Sequence, residues 1–129
     1  MSCGYAFLQN RGFKKMKFRK SDIELFQRIA ESEIQICKPV ILRVCKTINL
    51  GGVYCVGLYE DEFDYHLIQV SRAEIWNPVE LFATIVHEYI HAWQSENDLP
   101  LNHSPSGYFD RWRKYFRRYY QVNIAGFNK

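Results

Sequence analysis

The stretch from Asn77 to Pro100 constrains this chain more than any other. Asn77-Pro78-Val79-Glu80 reads as a helix start: Asn77 can cap, Pro78 suits the first helical position and Glu80 stands at the third. Asp98-Leu99-Pro100 then stops the helix, which should run to about Asn97. Between Leu81 and Gln94 the only charged residue is Glu88. A helix apolar almost all round has to be buried, so the rest of the chain must wrap around it.

The flanking sequence supplies the wrapping. Ser21-Asp22-Ile23-Glu24 reads as a capping box that opens a helix, with Leu25, Phe26, Ile29 and Glu33-Ile34 continuing its 3.6 period. Pro39 follows, and residues 40–48 form a β-branched run. Asn49-Leu50-Gly51-Gly52 is a turn signal before a second run over 53–59, so the two predict a hairpin. After the polar bend at 61–64, Tyr65 to Ser71 predicts a third strand. Beyond Pro100 a loop carries His103, and Ser104-Pro105 is expected to cap a last helix. There Phe109, Trp112, Phe116 and Tyr119/Tyr120 share one face, while Asp110, Arg111, Lys114, Arg117 and Arg118 fall largely on the other. The expected fold is α+β, over residues 21–129: an N-terminal helix, a three-stranded antiparallel or mixed sheet, the buried helix and a C-terminal helix. Residues 1–20 read as a basic arm.

Composition narrows the function classes. With 129 residues, 47% of them apolar, one core can close without staples. No run of 18 apolar residues occurs, which argues against a membrane span, and the first ten residues lack the charged-then-apolar pattern of a secretory signal. Cys3, Cys37, Cys45 and Cys55 include no Cys-x-x-Cys pair, which excludes a zinc ribbon and a thioredoxin-type motif. Four reduced thiols in a cytoplasmic, non-secreted monomer are expected, some of them as small core residues.

The net charge of +3 conceals a pattern. Arg11, Lys14, Lys15, Lys17, Arg19 and Lys20 lie in one acid-free block, and Arg111, Arg113, Lys114, Arg117 and Arg118 in another. Residues 21–110 hold five basic residues against all fourteen acids. Basic ends interleaved with Phe13, Phe18, Trp112, Tyr115 and Phe116 suit a polyanion partner, with charges on phosphates and rings on unpaired bases. The helical spacing of Phe109, Trp112 and Phe116 marks those three as core, leaving DNA contact to the charges.

The chemistry sits in Thr84-Ile85-Val86-His87-Glu88-Tyr89-Ile90-His91. Residues four apart on a helix stand one turn above each other, so His87 and His91 can offer imidazoles to one ion. Zinc favours that geometry and those ligands. Glu88 is rotated by about 100° from His87, so it need not ligate and can act as base toward a water that the ion acidifies. By composition alone His-Glu-x-x-His would arise in about one shuffled chain in a hundred, so its burial has to add weight. Two histidines and a carboxylate inside an apolar helix need partners, and one metal would serve all three. The alternative is a pair of core histidines bonded to backbone and Glu88. A catalytic zinc needs a third protein ligand. His103 is the first choice, in a loop that can fold back and be pinned by Phe109 and Trp112. His66, Glu96 and Asp98 are the others.

His87-Glu88-x-x-His91-Ala92-Trp93, Asn102-His103-Ser104 and Gly107-Tyr108-Phe109-x-x-Trp112 together resemble the SprT-like zinc metallopeptidase domain, and also the YgjP-like peptidases. The likeness is specific over 75–116 and extends to element order over 21–74. It implies a zincin-like fold, one Zn²⁺ per chain on His87, His91 and His103, and Glu88 as catalytic base. The family commonly has glycine after that histidine and reaches its aromatic within about four residues, whereas Ser104-Pro105-Ser106-Gly107 intervenes here. No zinc-ribbon cysteines follow, so the likeness is to a minimal form. Well-known members cleave proteins bound or crosslinked to DNA. The resemblance thus implies a protein substrate and single-stranded or protein-bound DNA as a partner; the basic residues Arg11, Lys14, Lys15, Lys17, Arg19, Lys20, Arg111, Lys114, Arg117 and Arg118, read from the charge pattern, are compatible with contacting it. Two rivals remain: a nucleic-acid-binding module whose metal has a fourth protein ligand, and a regulatory protein of the same fold without proteolysis.

Overall fold

The computed structural model describes residues 17–125. Its elements are α1 (Lys20–Glu33), β1 (Val40–Cys45), β2 (Asn49–Leu50), β3 (Val53–Tyr54), β4 (Gly57–Asp61), β5 (His66–Ser71), α2 (Pro78–Glu96) and α3 (Tyr108–Tyr120). The architecture is α+β: three helices, a three-stranded mixed sheet and a separate two-stranded ribbon.

The buried helix forms as its ends predict. Asn77 Oδ1 accepts the Glu80 N–H at 2.9 Å, and the Glu80 carboxylate accepts the Trp76 N–H at 2.8 Å. Every residue from Glu80 to Ala92 is buried. Leu81, Ile85, Tyr89 and Ile90 are fully enclosed, and burial of each such side chain contributes about 1.5–3 kcal/mol. The helix lies between α1 and α3 and against the face of the sheet formed by β4 and β5.

The sheet departs from the predicted hairpin. Asn49 to Gly52 does turn the chain, with Gly51 and Gly52 at positive φ (61° and 91°), but it closes only the short β2–β3 ribbon. The longer strands on either side do not pair. β5 lies in the middle, with β1 parallel to it (Val40↔His66 to Cys45↔Ser71) and β4 antiparallel (Gly57↔Val70 to Asp61↔His66). The reason lies in burial: β5 hides all of its residues but Gln69, whereas β1 is largely half-exposed and suits an edge.

Helix ends also shift. α1 opens at Lys20, where the Asp22 carboxylate accepts the Arg19 N–H at 2.8 Å, so the Ser21–Glu24 box is not the cap. Leu25 is exposed, and Ala30 with Ile34 makes the buried contact instead. Phe18 is core, with the Arg72 guanidinium 4.3 Å above its ring, so the folded body takes in residues first read as arm. α3 opens at Tyr108 after Gly107, not at Ser104, because the Gly107 N–H first closes a turn on the Ser104 carbonyl at 3.0 Å. Asp110 is buried rather than outward-facing, paired with Arg113, and Tyr119 is exposed. After α3, Gln121 takes a left-handed conformation (φ 52°), and Val122 and Ile124 are buried in the core.

Of the described cysteines, Cys37 and Cys45 carry free thiols, whereas Cys55 is disulfide-bonded, which corrects the expectation of four reduced thiols. Among the described residues no helix is long and apolar enough to cross a membrane.

Candidate metal centre

Three histidines from two parts of the chain meet on one side of α2. His87 and His91 stand one turn apart on the helix, and the loop before α3 brings in His103. Their Nε2 atoms are 3.2 Å (His87–His91), 2.9 Å (His91–His103) and 3.2 Å (His87–His103) apart. These three form the potential metal-binding group among the described residues. Phe109, the second residue of α3, holds the cluster from one side, with its ring 4.7–5.2 Å from all three imidazoles. The Ser104–Gly107 turn therefore still seats that aromatic against the loop histidine. Trp112 packs on Trp93, Tyr115 and Phe116 rather than pinning His103.

Outside partners fix two of the rings. His87 Nδ1 lies 2.6 Å from the Ala125 carbonyl, which can only accept, so Nδ1 carries the hydrogen and Nε2 a lone pair. His91 Nδ1 donates likewise to Gln94 Oε1 at 2.7 Å. Gln94 is itself buried, and its Nε2 donates to the Asn102 carbonyl at 3.1 Å. Neither Gln94 nor Ala125 was singled out by sequence reasoning. A glutamine three residues past a histidine is a common helical neighbour, and a backbone carbonyl carries no sequence signature at all.

The electrostatics favour neutral rings. Burial, reinforced by the neighbouring His91 and His103, pushes the His87 imidazolium well below the usual histidine range. Burial brings His91 down to about 4 against the opposing Gln94 bond, and lowers His103 as well. Lone pairs of His87 and His91 thus face each other at 3.2 Å, and a proton is a poor cation to join them near neutrality. A metal ion fits. Three imidazole nitrogens about 2.0–2.1 Å from one tetrahedral ion would lie roughly 3.3 Å apart, close to the separations found.

Glu88 is fully buried on the same turn of α2. The other ligand candidates lie elsewhere. His66, equally buried, has Nδ1 2.7 Å from the Tyr59 hydroxyl and Nε2 2.7 Å from Glu96 Oε2. Glu96 also accepts the backbone N–H groups of Cys37 and Lys38 at 2.7 and 2.8 Å. Asp98 is exposed, in a left-handed turn with φ 56°.

Among the proposed polyanion contacts, Lys17, Arg19, Lys20, Arg111, Lys114, Arg117 and Arg118 are exposed. Arg111 stacks over Tyr108 and Arg118 over Tyr119, at 4.8 and 5.4 Å. Lys114 also reaches Asp110 at 3.2 Å. Arg11, Lys14 and Lys15 lie outside the described residues.

No family model, no curated protein and no solved structure matches this chain. Fold and site by themselves define a small α+β domain with a three-histidine cluster able to bind a metal ion.

Proposed function

We propose that the chain is a zinc-dependent peptidase, with one Zn²⁺ per monomer held by His87, His91 and His103. The single observation that carries this reading is the convergence of three Nε2 atoms, two from α2 and one from the loop before α3, with a buried glutamate next to His87 in α2. When bound, the ion supplies Lewis acidity, lowering the pKa of a water toward about 7 and polarising a carbonyl. Three protein ligands leave a coordination position open, as catalytic zinc sites do. Glu88 is the general base: its carboxylate takes the proton of the attacking water and later returns it to the leaving amine. The enclosing core, with Phe109 over the imidazoles, holds the ligands neutral and in place.

One structural feature speaks against a structural metal with a fourth protein ligand. His66 has both ring nitrogens engaged by Tyr59 and Glu96, and no cysteine joins the described cluster. A role on DNA-associated proteins rests on the exposed basic residues of α3 and of the α1 start. It predicts binding to single-stranded DNA that weakens steeply with salt.

The test is peptide hydrolysis by the zinc-loaded chain and its Glu88→Gln variant. Removing a general base should slow hydrolysis about 10²- to 10⁴-fold while the ion is retained. Equal rates in the two proteins would refute the peptidase reading.

A further inference from the structure

We propose that Gln94 is a metal-positioning residue that sets the tautomer of His91 and locks it to the loop carrying His103. This rests on the reading of the histidine cluster as a metal site. The argument begins at the Asn102 carbonyl, which can only accept hydrogen bonds. Gln94 has one donating and one accepting end, and the end 3.1 Å from that carbonyl has to be its NH₂ group. The amide oxygen is then committed to His91, 2.7 Å from Nδ1. An oxygen there requires hydrogen on Nδ1, so Nε2 of His91 is left as a lone pair facing His87 and His103.

A backbone carbonyl next to one ligand therefore dictates the tautomer of another through Gln94. The reverse also holds. Asn102 immediately precedes His103, so the bond from Gln94 fixes where the loop presents its imidazole. Gln94 is 2% exposed; its bond to His91 is buried and its bond to the exposed Asn102 partly so, and losing either leaves a polar atom of a buried side chain unpaired. A purely structural glutamine would need only to fill space and satisfy itself; this one couples two ligands from separate segments.

The experiment measures Zn²⁺ affinity by competition with a chromophoric chelator, and the visible spectrum of the Co²⁺-loaded protein, in wild type, Gln94→Leu, Gln94→Met and Asn102→Ala. Circular dichroism reports folding. Gln94→Leu loses both bonds and should weaken Zn²⁺ binding about 10- to 100-fold, with an altered Co²⁺ spectrum. Gln94→Met, a closer match in shape, also loses both bonds and should likewise bind more weakly than wild type. Asn102→Ala leaves the carbonyl in place and should bind as wild type. Folded Gln94→Leu with unchanged affinity and spectrum would overturn the proposal. Should Gln94→Leu not fold, Gln94→Met decides: binding as tight as wild type, with an unchanged Co²⁺ spectrum, overturns it. Failure of the wild type to bind either ion would instead strike the metal site itself.

Discussion

Two histidine clusters lie in the same small core, and they are built on opposite plans. Around His66 every ring nitrogen has a protein partner of the right kind: Tyr59 on one side and Glu96 on the other, with Glu96 anchored further by two backbone N–H groups. Around His87, His91 and His103 the Nδ1 side of two rings is tied down by Ala125 and Gln94, while all three Nε2 atoms point at one another. The first cluster is complete as protein. The second brings three Nε2 atoms within 3.2 Å of one another, two of them carrying lone pairs, in a group able to hold a metal ion. Burial of a histidine therefore says little about its role; the identity of its partners says a great deal.

The contrast can be broken most forcefully at the ligands. His91→Ala should weaken Zn²⁺ binding by more than about 100-fold, beyond what loss of a supporting residue does. His66→Ala should leave Zn²⁺ affinity within about twofold of wild type while destabilising the fold by about 1–3 kcal/mol, because Tyr59 and Glu96 lose a buried partner. Urea unfolding and chelator competition on the same two variants separate the effects. If His66→Ala abolishes metal binding, the two clusters are one site and the distinction fails.

A subtler test uses pH. His91 drops from 6.5 to about 4 in the folded, metal-free chain, and His87 and His103 shift in the same direction. Between those values the unfolded chain binds more protons than the folded one, so stability falls as pH drops through that window and is flat above it. Apo protein should thus unfold at progressively lower urea between about pH 6.5 and pH 4, and His91→Ala should flatten part of that slope. Glu96 acts lower down. Burial opposes its charge, but the Cys37 and Lys38 N–H groups and His66 outweigh burial and hold it below the ordinary carboxylate value of 4.5. Its contribution is present above that value and fades below it as the carboxylate protonates, a loss Glu96→Gln should remove.

The sequence was legible where signals are local. Asn77-Pro78 and Pro100 bounded α2 to within a residue, and the i, i+4 spacing placed His87 and His91 together without any tertiary knowledge. His103 followed from the need for a third ligand and a loop able to return. Strand pairing was not legible in the same way. Asn49–Gly52 is a real turn, yet which strands pair beyond it depends on β5, the most buried strand, taking neighbours on both sides. Nothing in residues 40–59 announces that competition. The partners of the ligands were hidden for a similar reason. The Ala125 carbonyl reaches His87 only because Gln121 reverses the chain and Val122 and Ile124 bury behind it. The buried Asp110 was misread because its neutralising Arg113 lies on the same helix face, where a solvated pair looks identical in sequence.

The claim that one cluster is a metal site and the other is not is tested most directly by elemental analysis of the purified chain, His103→Ala and His66→Ala after equilibration with Zn²⁺ and removal of excess ion. The structure leads us to expect one zinc per chain in wild type and in His66→Ala, and essentially none in His103→Ala. Zinc retained in His103→Ala, or lost in His66→Ala, would contradict it.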